Sequence, residues 1–166
     1  MKQKVLLVDD GKDSLPPSLH HSLSSETYAV VVAENVPHAI AKSQAGEIDL
    51  LLMNLHSPTE QRWEDIGAIT RENPFLPVIV ITNLPCLRNL AEAAGACALV
   101  EKPVDVPMLL QTIRELLAEP IQKRVARVFN RISNFRHVAS SSGDVRDLLH
   151  RRYTAPLCTP CLPDGG

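Results

Sequence analysis

The sequence predicts an α/β protein: a doubly wound, five-stranded parallel sheet followed by a C-terminal extension that is part helical. Three observations carry this prediction. Five short apolar runs rich in β-branched residues recur along the first 101 residues. The runs do not alternate with polar residues, which is the pattern of strands buried on both faces. Stretches of helical periodicity lie between them, and strands alternating with helices need crossover connections, hence parallel pairing with both faces covered.

The strands are "KVLLV" (4–8), "YAVVVA" (28–33), "DLLLM" (49–53), "PVIVIT" (77–82) and "CALVE" (97–101). Between the first two, "GKDSLPPSLHHSLSSE" is the least regular segment, and a helix there must take Pro16 and Pro17 into its first turn. "VPHAIAKSQ" groups Val36, Ala39 and Ile40 on one helix face, and "WEDIGAITRE" groups Trp63, Ile66 and Ile69. "LRNLAEAAG" stops at Gly95. "VPMLLQTIRELLA" places Met108, Leu109, Thr112, Ile113 and Leu116 at helix spacing, and Pro120 closes it.

The 166 residues suit one core and an appendage: a domain over 1–120, a basic amphipathic helix over 121–137, and a flexible tail over 138–166 with a short helix near 145–153. With 45% apolar and 22% charged residues the composition is that of a soluble globular protein, and no apolar run reaches the roughly 18 residues of a membrane span. "MKQKVLLVDD" has too few apolar residues for a signal-peptide core. Four cysteines (Cys86, Cys97, Cys158, Cys161) are too sparse for a disulfide scaffold, so the expected location is cytoplasmic. Charge is unevenly spread: residues 1–120 carry a net of −7 and residues 121–166 a net of +5. The two parts can attract each other, or the tail can seek an anionic partner.

In open parallel sheets ligands bind beyond the carboxyl ends of the strands, so the candidate residues are Asp9, Asp10, Asn54, Thr82 and Lys102. Paired carboxylates suit a hard divalent cation, a hydroxyl suits a phosphoryl oxygen, and an ammonium neutralises an anion. Singly each is an ordinary solvated group; together on one sheet edge they describe a phosphoryl site.

With these residues in place, the chain over 4–118 resembles a response-regulator receiver domain, the stand-alone phospho-accepting module of two-component signalling. "VLLVDD" resembles its acidic-pair strand, "DLLLMNLHSP" its acceptor strand, "PVIVIT" its Thr/Ser strand and "AAGACALVEKPVD" its Gly-Ala to Lys-Pro segment. The resemblance implies the flavodoxin-like receiver fold. It implies Mg2+ held by Asp9, Asp10 and the backbone carbonyl of His56, phosphate contacts from Thr82 and Lys102, and a sensor histidine kinase or other signalling protein as partner. A homodimer through the final family helix or the tail helix is a further expectation. No enzymatic activity is expected, and no DNA-binding output domain, since the 46 residues after Pro120 offer too little for one with its own core.

Three departures bear on signalling. Asn54 stands at the phospho-acceptor position, and an amide is not the ionised carboxylate the family's reaction uses as its nucleophile. Its neutrality also implies weaker Mg2+ binding. Leu99 occupies the switch position that is usually aromatic, and "SPTEQRWED" lacks the glycine usual after the acceptor strand. Asn54 is compatible with a natural pseudo-receiver and with an engineered Asp-to-Asn change. The alternative from a different class is a small Mg-dependent phosphatase like the haloacid dehalogenases, which also carry an acidic pair after the first strand; "EKPVD" and the Gly-Ala segment match receivers better.

In the tail, "IQKRVARVFNRISNFRH" spaces Ile121, Val125, Val128, Phe129, Ile132 and Phe135 as a helix face, with the favoured partner the acidic receiver itself or a second copy. Cys158 and Cys161 with a distant His150 make an incomplete metal site. His20 and His21 read as solvated residues.

Overall fold

The computed structural model describes residues 2–9, 15–45, 48–56, 60–129 and 135–140. Six strands, β1 (Gln3–Val8), β2 (Tyr28–Ala33), β3 (Leu50–Leu55), β4 (Val78–Thr82), β5 (Ala98–Glu101) and β6 (Arg136–Val138), form one sheet in the order β2-β1-β3-β4-β5-β6. Every pairing is parallel. Among the described residues six α-helices connect or follow them: α1 (Pro17–Ser25), α2 (Val36–Gln44), α3 (Glu60–Glu72), α4 (Arg88–Ala93), α5 (Val106–Leu117) and α6 (Ile121–Val128).

Side chains along each inner strand alternate between two cores. Val5, Leu7, Leu50, Leu52, Ile79, Ile81 and Val100 meet Leu19 and Leu23 of α1 and Leu109, Ile113 and Leu116 of α5. Leu6, Leu51, Met53, Val78, Val80 and Leu99 meet Val36 and Ala39 of α2, Ile66 and Ile69 of α3, and Ala91 of α4. All six residues of β3 are buried, as expected of a strand covered on both faces.

Local chemistry sets the helix ends. Asn35 Oδ1 accepts from the His38 N–H at 2.9 Å before α2, and Asp105 Oδ1 from the Met108 N–H at 3.1 Å before α5, each satisfying a donor the helix cannot pair internally. α1 has no side-chain cap; Pro16 holds the N-cap position and Pro17 is the first helical residue, where the missing N–H costs least. Gly95, at φ +91°, ends the turn after α4. Cys97 is a buried free thiol whose pKa burial pushes up, whereas Cys86 is disulfide-bonded.

The sequence expectation needs correcting in two places. The sheet has six strands, not five, and the helix expected over 121–137 ends at Val128. The reason is tertiary: Phe135–Val138 finds an open edge on β5 with buried partners on either side, and sheet pairing there overrides a helical spacing of apolar residues. Residues 141–166, including the expected helix near 145–153, His150, Cys158 and Cys161, lie outside the described residues.

A Cβ on Gly95 would stand 2.9 Å from Thr70 Oγ1 at a backbone angle L side chains rarely adopt. Thr70 is held there, donating to the Ala94 carbonyl at 2.8 Å. Gly95→Ala is therefore expected to destabilise the fold by about 1–3 kcal/mol, read as a lowered urea midpoint with an unchanged slope.

Candidate functional site

The parallel register brings the candidate residues to one edge. β1 and β3 pair through Val8↔Met53, so Asp9 and Asn54 follow side by side. β3 and β4 pair through Leu55↔Thr82, and β4 and β5 through Thr82↔Glu101, so Lys102 comes next in line. Asp10 lies outside the described residues, as do 57–59 after the acceptor strand.

Asn54 is 4% exposed and is the fifth residue of β3, so the strand runs past it to Leu55. Its Nδ2–H donates to Asp9 Oδ1 at 3.2 Å. Burial makes this contact worth more than it would be in water, since a bond to a charged acceptor contributes roughly 1.5–3 kcal/mol and a 3.2 Å bond belongs at the low end. Thr82 is fully buried at the last position of β4, and its Oγ1 accepts from the Leu84 N–H at 3.2 Å, tying the hydroxyl into the turn that leads to α4. Lys102 is half-buried, and its N–H donates to the Thr82 carbonyl at 2.9 Å. The Lys102–Pro103 peptide is cis. His56 follows β3 directly and is half-buried. Leu99 is fully buried on the face covered by α2, α3 and α4, opposite Val80.

The structure thus brings Asp9, Asn54, Thr82 and Lys102 to one edge, with His56 beside them, and sets Leu99 in the core. Beyond Lys102 a groove of about 590 Å³ opens between the start of α1 and the β5–α5 connection, lined by Leu15, Pro16, Asn83, Lys102, Pro103 and Val106. His20 and His21 are exposed on α1. No cluster of three or more His, Cys, Asp or Glu able to hold a metal occurs among the described residues, and none of their helices is long and apolar enough to cross a membrane.

One polar group at this end was not singled out from sequence. Glu101, 6% exposed, binds His137 through Oε1 at 2.7 Å and accepts from the Ser140 N–H through Oε2 at 3.3 Å. The signal available was a carboxylate closing an otherwise apolar strand, which requires a buried partner; that partner lies 36 residues away.

The geometry agrees with the comparisons. The family model of the response regulator receiver domain matches residues 5–114. The chain is 28% identical over 119 residues to protein PilH of Pseudomonas aeruginosa, covering 69% of this chain and 98% of that one. It is 28% identical over 122 residues to the DNA-binding transcriptional regulator NtrC of Rhizobium meliloti, covering 72% of this chain and 25% of NtrC, so it spans about a quarter of the length of that relative. Among solved structures, the chemotaxis response regulator CheY4 of Vibrio cholerae is 27% identical with a TM-score of 0.60, covering 70% of this chain and 99% of CheY4.

Replacing Asn54 by aspartate would exchange the Nδ2–H···Oδ1 bond for two adjoining carboxylates in a buried place. Asn54→Asp is expected to lower stability by about 1–3 kcal/mol at neutral pH in chelator. The introduced carboxyl is pushed up by Asp9 and by burial, so the deficit should shrink as pH falls through the carboxylate range. Urea unfolding at pH 7 and pH 4.5 measures both. From the fold, the register of the strand ends and the match over residues 5–114, the chain belongs to the response regulator receiver domain family.

Proposed function

We propose that the chain works as a pseudo-receiver in a two-component phosphorelay, acting through protein contacts in one fixed state, with no aspartyl phosphate formed at residue 54. The observation that carries this reading is the Asn54–Asp9 hydrogen bond: the amide takes the acceptor's place and turns its donor to the one described carboxylate beside it. An amide oxygen carries no ionised lone pair to attack phosphorus, and its nitrogen is conjugated. In the full reading Asp9, Asp10 and the His56 carbonyl are the metal ligands, Thr82 and Lys102 the phosphate contacts, and Leu99 the residue at the switch position.

The donor set suits Mg2+ in kind, being hard oxygen ligands from two carboxylates and a backbone carbonyl. When bound, the ion supplies positive charge that neutralises phosphoryl oxygens. Asn54 leaves the site one negative charge short of an aspartate there, so affinity falls, and its Nδ2–H already occupies part of Asp9. Lys102 offers a compact cation at the rim for an anion. Thr82 Oγ1 accepts from the Leu84 N–H and so keeps its own proton to donate.

The partner is a sensor histidine kinase or another signalling protein, met in the cytoplasm, and the groove beside Lys102 offers apolar surface from Leu15, Pro16, Pro103 and Val106 for it. In a homodimer through α6, Ile121 at its start and Phe129 just past its end, 56% and 65% exposed, would be the contact. The chain is not read as an enzyme. Nothing in the site favours the phosphatase alternative over the receiver.

Incubation with radiolabelled acetyl phosphate or a cognate kinase is expected to leave the wild-type chain unlabelled. Asn54→Asp is expected to take up label in Mg2+ and to bind Mg2+ at least tenfold more tightly by titration. Stable label on wild-type residue 54 would overturn the reading. Labelling of neither protein would overturn the claim that Thr82, Lys102 and Asp9 remain a working site.

A further inference from the structure

The C-terminal segment is held to the rest of the molecule residue by residue. β6 lies along β5 in the register Ala98↔Arg136, Leu99↔His137, Val100↔Val138, and the Arg136 N–H donates to the Cys97 carbonyl at 3.0 Å. Phe135 packs against the core on the α2–α4 face and carries the Arg88 guanidinium of α4 over its ring at 5.8 Å from the centroid. Arg136 forms an ion pair with Glu115 of α5. His137 Nε2 meets Glu101 Oε1 of β5 at 2.7 Å. Val138 is buried in the opposite core with Val100 and Ile113, and the Ser140 N–H reaches Glu101 again.

These contacts differ from the usual cover of a sheet edge, which needs only a charge or a bulge. Four consecutive side chains, aromatic, basic, imidazole and apolar, each meet a partner suited to them, and the partners come from α4, β5 and α5. Added strands in recognition sites behave this way, with backbone bonds giving attachment and alternate side chains giving specificity. The approach is anchored as well. Arg124 of α6 donates to the carbonyls of Leu116, Leu117 and Glu119 at the end of α5, and Arg127 pairs with Glu119 at 2.5 Å. The last contact, on Glu101, is one residue from Lys102.

We propose that the β5 edge, with Arg88, Glu101 and Glu115, is a sequence-specific strand-binding site held in cis by residues 135–140, and that this occupancy closes the α4–β5–α5 face to other proteins. That other proteins use the closed face rests on the receiver reading, in which the chain acts through protein contacts; the strand site itself does not. A protein that uses the face must displace the strap and offer an extended segment of the same chemistry, with a cation opposite Glu115 and an apolar side chain at the place of Val138.

The test uses the full chain and a fluorescein-labelled peptide of residues 135–140. Wild type is expected to exclude the peptide, because its own strap is bound. The double variant Arg136→Glu/Val138→Asp, whose strap is released, is expected to bind the peptide at least tenfold more tightly than wild type. Adding Glu115→Arg to that variant is expected to abolish the gain, since the peptide's arginine then meets a cation. Equal binding by wild type and the released variant, or binding indifferent to Glu115→Arg, would overturn the proposal. Should the released variant fail to fold, hydrogen exchange decides. The Arg136 amide is expected to be protected in wild type, exposed in Arg136→Glu, and protected again in Arg136→Glu/Glu115→Arg. Exchange of that amide in wild type as fast as in an open loop would equally overturn it. Neither experiment uses a phosphodonor or a metal, so a failure here leaves the reading of Asn54 standing, and the reverse.

Discussion

The pairing of β3 with both β1 and β4 is the constraint on which the rest of the structure depends. Val5↔Leu50 through Val8↔Met53 fixes one side and Leu51↔Val78 through Leu55↔Thr82 the other. Both ladders are parallel, so each chain return must cross a face of the sheet, and the crossing helices bury Leu50 and Leu52 on one side and Leu51 and Met53 on the other. The side-chain period of two leaves no slack: a slip of one residue would exchange these sets and turn the Asn54 amide to the opposite face, toward the apolar side chains of α2, α3 and α4. Asp9, Asn54, Thr82 and Lys102 reach one edge because the strands that carry them all point the same way, not because of any attraction among them.

Much of this was legible in the chain before any coordinate. The five apolar runs became β1 to β5 because buried parallel strands need continuous apolar residues, and that need is written locally. Gly95 stops a helix through its own backbone and was read in place, whereas the Asn35 and Asp105 caps, though equally local, came only with the structure. The edge residues followed from topology. What could not be read depends on distant partners. Ile132 and Phe135 continue a spacing of three and four from Val125 and Val128, and nothing nearby reveals that the helix ends at Val128. The three residues of β6 are too short for a period of two to outweigh it, and their preference comes from Glu101, Glu115 and the β5 edge. Glu101 was passed over for the same reason, since its partner His137 is remote in sequence.

The charge asymmetry between body and tail takes a definite form. Helix C-termini leave carbonyls unpaired and carry partial negative charge, and Arg124 meets two of them, Leu116 and Leu117, at the end of α5 and the Glu119 carbonyl just beyond. Arg127 and Glu119 are a buried pair, with side chains 14% and 5% exposed. Such pairs return little net stability after desolvation, and here Arg127 Nη2 is buried without a hydrogen bond, which reduces the return further. Its effect is therefore orientation: a basic segment aimed at one acidic helix end arrives with β6 in register, where a nonspecific attraction would leave it free to slide.

Asn54 and the strap bear on each other through energetics. A carboxylate at position 54 would stand against Asp9 in a place 4% exposed, and like charges at that distance require a cation to hold them together. The amide removes the requirement, because its Nδ2–H gives Asp9 a donor from within the protein. An Asp9 carboxylate paired in this way has less to gain from an arriving ion, and Leu99, fully buried among the α2–α4 side chains, offers no exposed rotamer for such a gain to drive. On the proposed reading, trigger and lever are both absent at the strand ends. The receiver site then stays in its one fixed state, and what a partner can change lies at β6. It is three residues long, lies on the outer edge of the sheet, and is attached by backbone pairing and side-chain contacts that a competing strand could replace one for one.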